Sequence, residues 1–574
     1  MPREIAVVPN RSCLHPSAGV AELGYEALKG CRVLFINMPL RESAQPNTPP
    51  QGPGLMAARL RRYGALPSIV DLNAYRLKDG TTRTRELPNG RHLTLPETQN
   101  LIELHIGVHG EPDVIALSGM ITTLRWQENV AKMCRSLVPD AFIVSGGGLA
   151  TEVRLPLLRW IPELDAVAHS EGDDIILLLA DDVTRAKKNA GLNWRSSMVG
   201  SRHYQGQKNG RPVFMYAGDR PDNLDDLPFA AWDLLHEDVL GNKVLEWYIN
   251  VPVWGLAANN SSATPFTMKR SLTTVSSRGC PYACSFCYRG GQGERNYGMR
   301  SAENLREEAE WLVRNYGVDF IGFPDDNFAV DRRRIAKLPE AIGHLGIRWG
   351  THTRLDEADE RLMPMAESGC IYIGFGAESA SAYVLDEMNK GGFILRPRGS
   401  RENKLVKIDE FEFPETMVNG IRKCREVGIH SNCTWIMAYP GEALEDLKTS
   451  VAFILWQIKE ATRGLVSGTP EYENAVASIN QRMFVATAYP GTAMYKHPKV
   501  RKLLGEHFGV NFDELGEPVP DEALRSYILE LDDATKTLHG IDGSPINFGE
   551  MPMNTFLEAR EHVDGGQLAR ILDM

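Results

Sequence analysis

The chain has 574 residues, of which 43% are hydrophobic and 24% charged, and its formal net charge is −11. That length exceeds one ordinary domain, and the composition excludes a disordered or fibrous chain. The acidic balance argues against nucleic acid as an obligate partner, no apolar run is long enough to span a bilayer, and nine cysteines are too few and too scattered for a disulfide scaffold.

The first eighteen residues carry Arg3 and Arg11 but no continuous apolar core, so no signal peptide is expected. From residue 32 short apolar runs alternate with amphipathic stretches. Strands are expected at 33–37, 68–72, 113–118, 141–145 and 166–168, and helices at 54–63 and 124–137. The fourth strand is stopped by Gly146, Gly147 and Gly148, and the fifth is followed by His169-Ser170-Glu171-Gly172-Asp173. Strands alternating with helices predict a doubly wound, Rossmann-like parallel sheet over 1–185, with any ligand outside the carboxyl ends of the strands. No G-x-G-x-x-G follows the first strand, which counts against a dinucleotide.

These strand endings resemble those of cobalamin-binding domains. The matching residues are Ser118, the run Gly146-Gly147-Gly148, and Glu171 with Gly172. The resemblance implies that Ser118 donates to the nucleotide tail or a corrin amide, and that the glycines let backbone approach a flat macrocycle. It also implies that the loop Asn73-Ala74-Tyr75-Arg76 reaches under the corrin, with Tyr75 or Arg76 capping the lower face. The D-x-H-x-x-G that supplies a lower cobalt ligand in many such domains is absent, as it commonly is in their radical S-adenosylmethionine (SAM) members. The competing reading is a cofactor-free domain used for packing or dimerisation.

Residues 186–265 lose the strand–helix rhythm and read as a linker. Its phrase Asp222-Asn223-Leu224-Asp225-Asp226-Leu227-Pro228-Phe229 resembles one found in radical SAM enzymes.

A strand at 272–275 leads to Cys280, Cys284 and Cys287. Three thiolates on one short loop leave one iron of a four-iron cube without a protein ligand, free to chelate a small molecule. Structural zinc prefers four ligands in paired C-x2-C units, and no second pair lies nearby. The C-x3-C-x2-C spacing, followed by Tyr288, resembles the radical SAM superfamily. There the open iron holds the amino and carboxylate groups of SAM, and an electron from the cluster cleaves SAM to methionine and a 5′-deoxyadenosyl radical.

Further strands are expected at 319–323, 347–354, 370–376, 431–437 and 483–488, with a helix at 301–316 capped by Ser301. Six strand–helix repeats make a partial parallel barrel over 266–495, with its chemistry at the carboxyl ends. The endings Asp325-Asp326-Asn327-Phe328, Gly376-Ala377-Glu378-Ser379, Tyr439-Pro440-Gly441-Glu442 and Tyr489-Pro490-Gly491-Thr492 each resemble radical SAM strand endings. The resemblance implies that Asp325 or Asp326 accepts from the SAM ammonium and that Glu378 with Ser379 binds the ribose or the methionyl part. Arg354 would hold the SAM carboxylate or a substrate anion. The plainer alternative for each is a strand-end residue that caps the next helix. His352 reads as a structural histidine. The insertion 391–415, with Arg396, Arg398 and Arg401, is either a lid or binding loop for an anionic substrate or a solvated excursion. Residues 496–574 are helical in pattern, and in related enzymes this region closes the barrel.

Taken whole, the chain is expected to be α/β: a Rossmann-like cobalamin-binding domain, a partial (β/α)6 TIM-like radical SAM barrel and a helical C-terminal region. It resembles the cobalamin-dependent, class B type radical SAM enzymes. The resemblance implies a [4Fe–4S] cluster, SAM and cobalamin as cofactors and an external electron donor such as flavodoxin or ferredoxin. It implies a cytoplasmic setting and a methyltransferase that moves a methyl group from SAM through cobalamin to an unactivated carbon of a small molecule or peptide. Rearrangement, oxidation and cyclisation are the alternatives within the family. A methylthiotransferase would need three more cluster cysteines, and Cys13, Cys31 and Cys134 have the count but not the placement. A sensing module would not need the full set of strand-end motifs. No individual catalytic residue stands out.

Overall fold

The computed structural model describes residues 20, 22–42, 45–46, 48–85, 87–190, 194–250, 268–288, 297–390, 404–514, 516, 518–531 and 536–574. Cys13, the end of the expected linker and the arginines at 396, 398 and 401 lie outside the described residues. The chain divides into two compact units. The first holds the described residues up to Tyr248 together with those at 520–531; the second holds the rest.

The first unit is built on a seven-stranded sheet: β1 (Arg32–Asn37), β2 (Leu66–Asp71), β3 (Val114–Ser118), β4 (Phe142–Gly146), β5 (Ala166–Ser170), β6 (Tyr204–Lys208) and β7 (Arg211–Gly218). Their order is β2-β1-β3-β4-β5-β7-β6, parallel throughout except for β6. β3 and β4 each bury four consecutive residues, as strands covered by helices on both faces must. The order 2-1-3-4-5 reverses direction between β1 and β3, and that reversal opens a crevice at the carboxyl ends. Two strands come from the stretch read as a linker. β6 and β7 form an antiparallel hairpin that extends the sheet past β5, so the unit continues well beyond residue 185. The helix Leu95–His109 had also gone unread; a capping box between Thr94 and Glu97 starts it. The helix Glu522–Leu529 packs on the helix Leu124–Leu137, and Arg525 reaches Glu128 at 2.7 Å.

The second unit holds six parallel strands in sequential order: β8 (Ser271–Thr273), β11 (Phe320–Phe323), β12 (Arg348–Arg354), β13 (Cys370–Glu378), β16 (His430–Met437) and β17 (Phe484–Val485). Two short antiparallel ladders flank them: β9 (Ser277–Arg278) with β10 (Gly298–Met299), and β14 (Leu405–Ile408) with β15 (Phe411–Pro414). The helix Ala302–Tyr316 starts where Ser301 accepts from the Asn304 amide and stops at Gly317, which takes the left-handed conformation at φ 63°. Arg332–Ile342 is capped in the same way by Asp331. Among the described residues no helix is long and apolar enough to cross a membrane.

Close backbone approach fixes one glycine at the carboxyl edge of the first sheet. A Cβ on Gly218 would sit 1.9 Å from the Glu171 carbonyl oxygen and 2.8 Å from Ile175 Cδ1. Gly218→Ala is therefore expected to destabilise the protein by about 2–3 kcal/mol, as overpacking does. Gly200→Ala, where nothing lies within 4 Å, should stay within about 0.5 kcal/mol. Urea unfolding of the two variants, followed by tryptophan fluorescence, compares them directly.

Candidate active site

The loop that carries Cys280, Cys284 and Cys287 leaves β8 at the carboxyl end of the barrel strands. Its root is held by one buried carboxylate. Asp325 Oδ1 accepts from the Ser276 amide at 2.8 Å, and Oδ2 accepts from the hydroxyls of Ser276 and Ser277, the latter at 2.6 Å. The buried Arg334 guanidinium donates to the Ser276 carbonyl at 2.9 Å and to the Phe328 carbonyl at 2.6 Å. The β9–β10 ladder then closes the base of the loop.

The middle of the loop is tied to other elements of the same unit. The Ser285 amide donates to the Met388 carbonyl at 2.9 Å, and the Ser285 carbonyl accepts from the Met494 amide at 2.6 Å. Asn389 Nδ2 donates to the Ala283 carbonyl at 2.8 Å, and the hydroxyls of Ser285 and Tyr439 share a hydrogen bond of 2.6 Å. Four contacts within three residues leave this backbone little freedom.

Arg354, the last residue of β12, lies against the cysteines. Its Nη1 donates to Cys284 Sγ at 3.4 Å, its Nε donates to Asp356 Oδ1 at 2.9 Å, and its guanidinium sits 4.0 Å from the centroid of the Tyr282 ring. The Tyr282 hydroxyl donates to Glu357 at 2.9 Å. Burial raises the Cys280 thiol, with Arg354 acting the other way. Cys287 is the exposed member of the three; desolvation of its sulfur, and then the charges of Asp326 and the neighbouring thiols, raise its thiol.

At the end of β13 a bulge between Gly376 and Glu378 turns the strand, and Glu378 takes the left-handed region at φ 66°. Such a conformation in a non-glycine residue costs on the order of 1–2 kcal/mol and re-aims the side chain. The Glu378 carboxylate accepts from Lys390 Nζ at 3.0 Å and from Thr434 Oγ1 at 3.3 Å. Lys390 also donates to the Gly376 carbonyl at 2.6 Å. A Cβ on Gly376 would lie 2.6 Å from Glu378 Oε1 and 3.0 Å from Lys390 Nζ, so this glycine makes room for the ion pair. Lys390 and Thr434 were not singled out from the sequence.

The residues of the barrel therefore separate. Cys280, Cys284, Cys287, Arg354 and Asp326 gather at the loop, Asp326 exposed and near enough for its charge to act on two of the thiols. Asp325 is 3% exposed and already accepts three hydrogen bonds, so it anchors the loop rather than facing a ligand. Ser379 is fully buried, with its hydroxyl on Ser450 at 3.2 Å and on the Ser381 amide at 3.1 Å; it shapes the turn after β13. His352 packs over Gly374, and burial pushes its pKa down to about 4, leaving it neutral. Glu442 is fully buried after β16. Its Oε2 accepts from the Ala438 amide and its Oε1 has no hydrogen-bond partner among the described residues. Burial pushes its pKa up to about 8, so it is protonated at neutral pH.

These donors fit an open-faced iron–sulfur cube. Among the described residues no three His, Cys, Asp or Glu side chains are placed to hold a single metal ion. A cube needs something else, three thiolates each bound to a different iron, carried on a braced loop with hydrogen-bond donors to the sulfurs.

In the first unit Asn37, Asp71, Ser118 and Gly146 end four neighbouring strands. Asp71 is buried and accepts from Asn37 Nδ2 at 2.8 Å and from the Tyr248 hydroxyl at 2.6 Å. Gly147, at φ 83°, must be glycine, because a Cβ would lie 2.7 Å from the Gly119 carbonyl oxygen. Gly146 differs, since a Cβ there would meet nothing closer than 3.8 Å. Its missing side chain leaves open space at the strand end, beside the half-buried Ser118, and that suits a flat ligand lying on backbone. A Cβ on Gly172 would lie 2.7 Å from Met56 Sδ, and Glu171 precedes it on the edge that crowds Gly218. Tyr75 does not present a face to a ligand. It is 3% exposed, its hydroxyl donates to Asp238, and its ring packs edge-on against Trp247 at 5.2 Å. Arg76 donates to the Asn73 and Tyr75 carbonyls, both at 2.8 Å, and to the Arg41 carbonyl at 2.9 Å.

Residues 274–454 match the radical SAM superfamily. An uncharacterized methyltransferase of Pyrococcus horikoshii is 23% identical over 398 residues, which cover 69% of this chain and 71% of that protein. The anaerobic magnesium-protoporphyrin IX monomethyl ester cyclase of Rubrivivax gelatinosus is 25% identical over 287 residues, covering 49% and 46%, so the chain spans about half the length of that relative. Among solved structures, the radical SAM methyltransferase TsrM of Kitasatospora setae, with cobalamin and a [4Fe–4S] cluster bound, matches with a TM-score of 0.52 and 13% identity. The match covers 95% of this chain and 98% of that one, and it shows a shared fold.

Two outcomes test this geometry. Asp325→Ala strands three buried donors and is expected to cost about 2–4 kcal/mol. The anaerobically reconstituted variant should lose iron to a chelator several-fold faster than wild type, while its residual cluster binds SAM with unchanged affinity. The second concerns Glu442. Its folded pKa lies above its unfolded value near 4.5, so the folded chain holds an extra proton. That contribution is complete below about pH 4.5 and is lost as pH rises through about 8. Denaturation midpoints should therefore fall from pH 5 to pH 8 in wild type, and the slope should flatten in Glu442→Gln.

Proposed function

We propose that this chain is a cobalamin-dependent radical SAM methyltransferase acting on an unactivated carbon of a small molecule or peptide. The observation that carries the reading is the braced three-cysteine loop at the carboxyl ends of six parallel strands, in a chain that also holds a doubly wound sheet with an open glycine-lined strand end. Similarity to the uncharacterized methyltransferase of Pyrococcus horikoshii over about 70% of each chain supports it, as does the fold shared with an enzyme solved with both cofactors bound.

When bound, the cluster and SAM supply a carbon-centred radical, and cobalamin carries the methyl group. The chain's own residues bind and orient. Cys280, Cys284 and Cys287 ligate three irons. Asp326 and Glu378 offer carboxylate oxygens to the SAM ammonium and ribose, the pairing with Lys390 holding Glu378 in place. Ser118 and the backbone at Gly146, Gly147 and Gly148 border the corrin, with Glu171 and Gly172 on the next strand end. Metal ligation needs thiolates, so loading the cluster releases protons from the cysteines. The reaction also consumes electrons, and a flavodoxin or ferredoxin in the cytoplasm is the donor we propose.

A second reading follows from the similarity to the ester cyclase. Radical cyclisation would use the same domains without consuming SAM as a methyl donor. Product stoichiometry separates the two. Methyl transfer yields S-adenosylhomocysteine and 5′-deoxyadenosine together, and cyclisation yields 5′-deoxyadenosine alone. The test starts with anaerobic purification from a cobalamin-replete host, cluster reconstitution, and quantification of cobalamin and both nucleosides. About one cobalamin per chain with both nucleosides is the expected result. Cluster-loaded protein without cobalamin would exclude the methyltransferase reading. Cys284→Ala should abolish 5′-deoxyadenosine formation, because two thiolates do not retain the cube.

A further inference from the structure

We propose that Arg354 sets the reduction potential of the cluster by donating to the sulfur of Cys284, rather than holding the carboxylate of SAM; the inference rests on the cluster reading above. The guanidinium has little left to offer a second anion. Nε and Nη2 face the two oxygens of Asp356 at 2.9 and 3.4 Å, Nη1 points at Cys284 Sγ at 3.4 Å, and the plane lies over the Tyr282 ring at 4.0 Å.

Every partner in this arrangement is itself fixed. Arg354 ends β12, paired with Gly376 of β13. Asp356 follows in the same turn, and both side chains of the pair are less than a tenth exposed. The Tyr282 hydroxyl is held by Glu357, so the ring that the guanidinium covers keeps its orientation. Tyr282 lies between Cys280 and Cys284 in sequence, and Arg354 therefore touches the loop through a ring face as well as through a sulfur.

A donor aimed at a ligating thiolate stabilises the more negative, reduced cluster and raises its potential. The strength depends on burial, because a fixed N–H in a dry setting is not replaced by water. Asp356 neutralises the arginine at long range, so the effect is local to Cys284. An electron must be held on the cluster before SAM is cleaved, and Arg354 would make that reduced state accessible to a mild donor.

The test is a potentiometric titration of the reconstituted protein, followed by electron paramagnetic resonance of the reduced cluster. The double variant Arg354→Gln/Asp356→Asn removes both members of the buried pair, so no charge is stranded. At a fixed ambient potential its ratio of reduced to oxidised cluster should fall about tenfold, the scale of one hydrogen bond to a charged group. Iron content and SAM affinity should match wild type. Arg354→Lys keeps the charge but loses the fork, and should show a smaller shift in the same direction. An unchanged midpoint in the cluster-loaded double variant overturns the proposal, and if SAM affinity also drops, Arg354 is a SAM ligand instead. Should the double variant hold no cluster, the lysine variant decides, and a wild-type midpoint there overturns the proposal. A wild-type protein that holds no cluster fails the reading of function itself, and iron content reveals that before any variant is titrated.

Discussion

The carboxylate of Asp325 is the constraint on which the barrel's chemistry depends. Three donors from the start of the cysteine loop converge on its two oxygens in a buried setting. Past β8 the Thr274 amide still pairs with the Gly322 carbonyl of β11, but the Ser276 amide has no strand partner, and a buried amide without a partner is costly. Asp325 supplies the acceptors from the end of the adjacent β11, and Arg334 supplies a donor to the Ser276 carbonyl. A charged pair alone at this depth would contribute little after desolvation. Here the charges engage the backbone and hydroxyls of Ser276 and Ser277, which positions the loop before any metal arrives.

The same economy appears at the other strand ends of the second unit. Glu378 accepts from Lys390 and Thr434, Glu442 reaches back to the Ala438 amide, and Arg354 is gripped by Asp356. Two of these turns use a non-glycine residue at positive φ, Glu378 at 66° and Ala438 at 60°. Strain of this kind persists only where surrounding bonds over-determine the backbone, and it collects where side chains must be aimed. The bulge before Glu378 has the same effect by a different means.

Much of this was legible in the sequence, for identifiable reasons. Buried parallel strands are short apolar runs, so β1, β3, β4 and the barrel strands stood out, and the cysteine spacing together with the strand endings downstream of it pointed to the cluster. β6 did not stand out, because Tyr204–Lys208 is polar and has no fully buried residue. β7 does carry an apolar run, Val213-Phe214-Met215-Tyr216, but a tight turn rather than a helix joins it to β6, which breaks the strand–helix alternation. Asp325 and Asp326 are adjacent and chemically identical, and nothing in the spelling says that the first anchors the loop and the second lies exposed. Lys390 carried no signal at all: its partner Glu378 is twelve residues away, across a helix, and only the fold brings them together. Tyr75 was read from a loop position, but its surroundings come from Asp238 and Trp247, far along the chain.

The two units answer the same geometric opportunity with opposite chemistry. In both, parallel strands deliver their carboxyl ends to one edge, where the next helix or loop must begin. In the first unit that edge sets residues with no side chain beside Asn37, Asp71 and Ser118, Gly146 leaving open space and Gly147 letting two turns touch. Space is what a large, flat, rigid ligand needs, because its own framework supplies the order and the protein has only to avoid obstructing it. In the second unit the edge is crowded with carboxylates, guanidinium groups and thiols held by one another. A small charged ligand and a metal cube need the reverse, fixed charges at set positions whose reorganisation has already been completed in the fold. Glycines on one sheet and a braced ionic network on the other are what the ligands proposed for each edge would require.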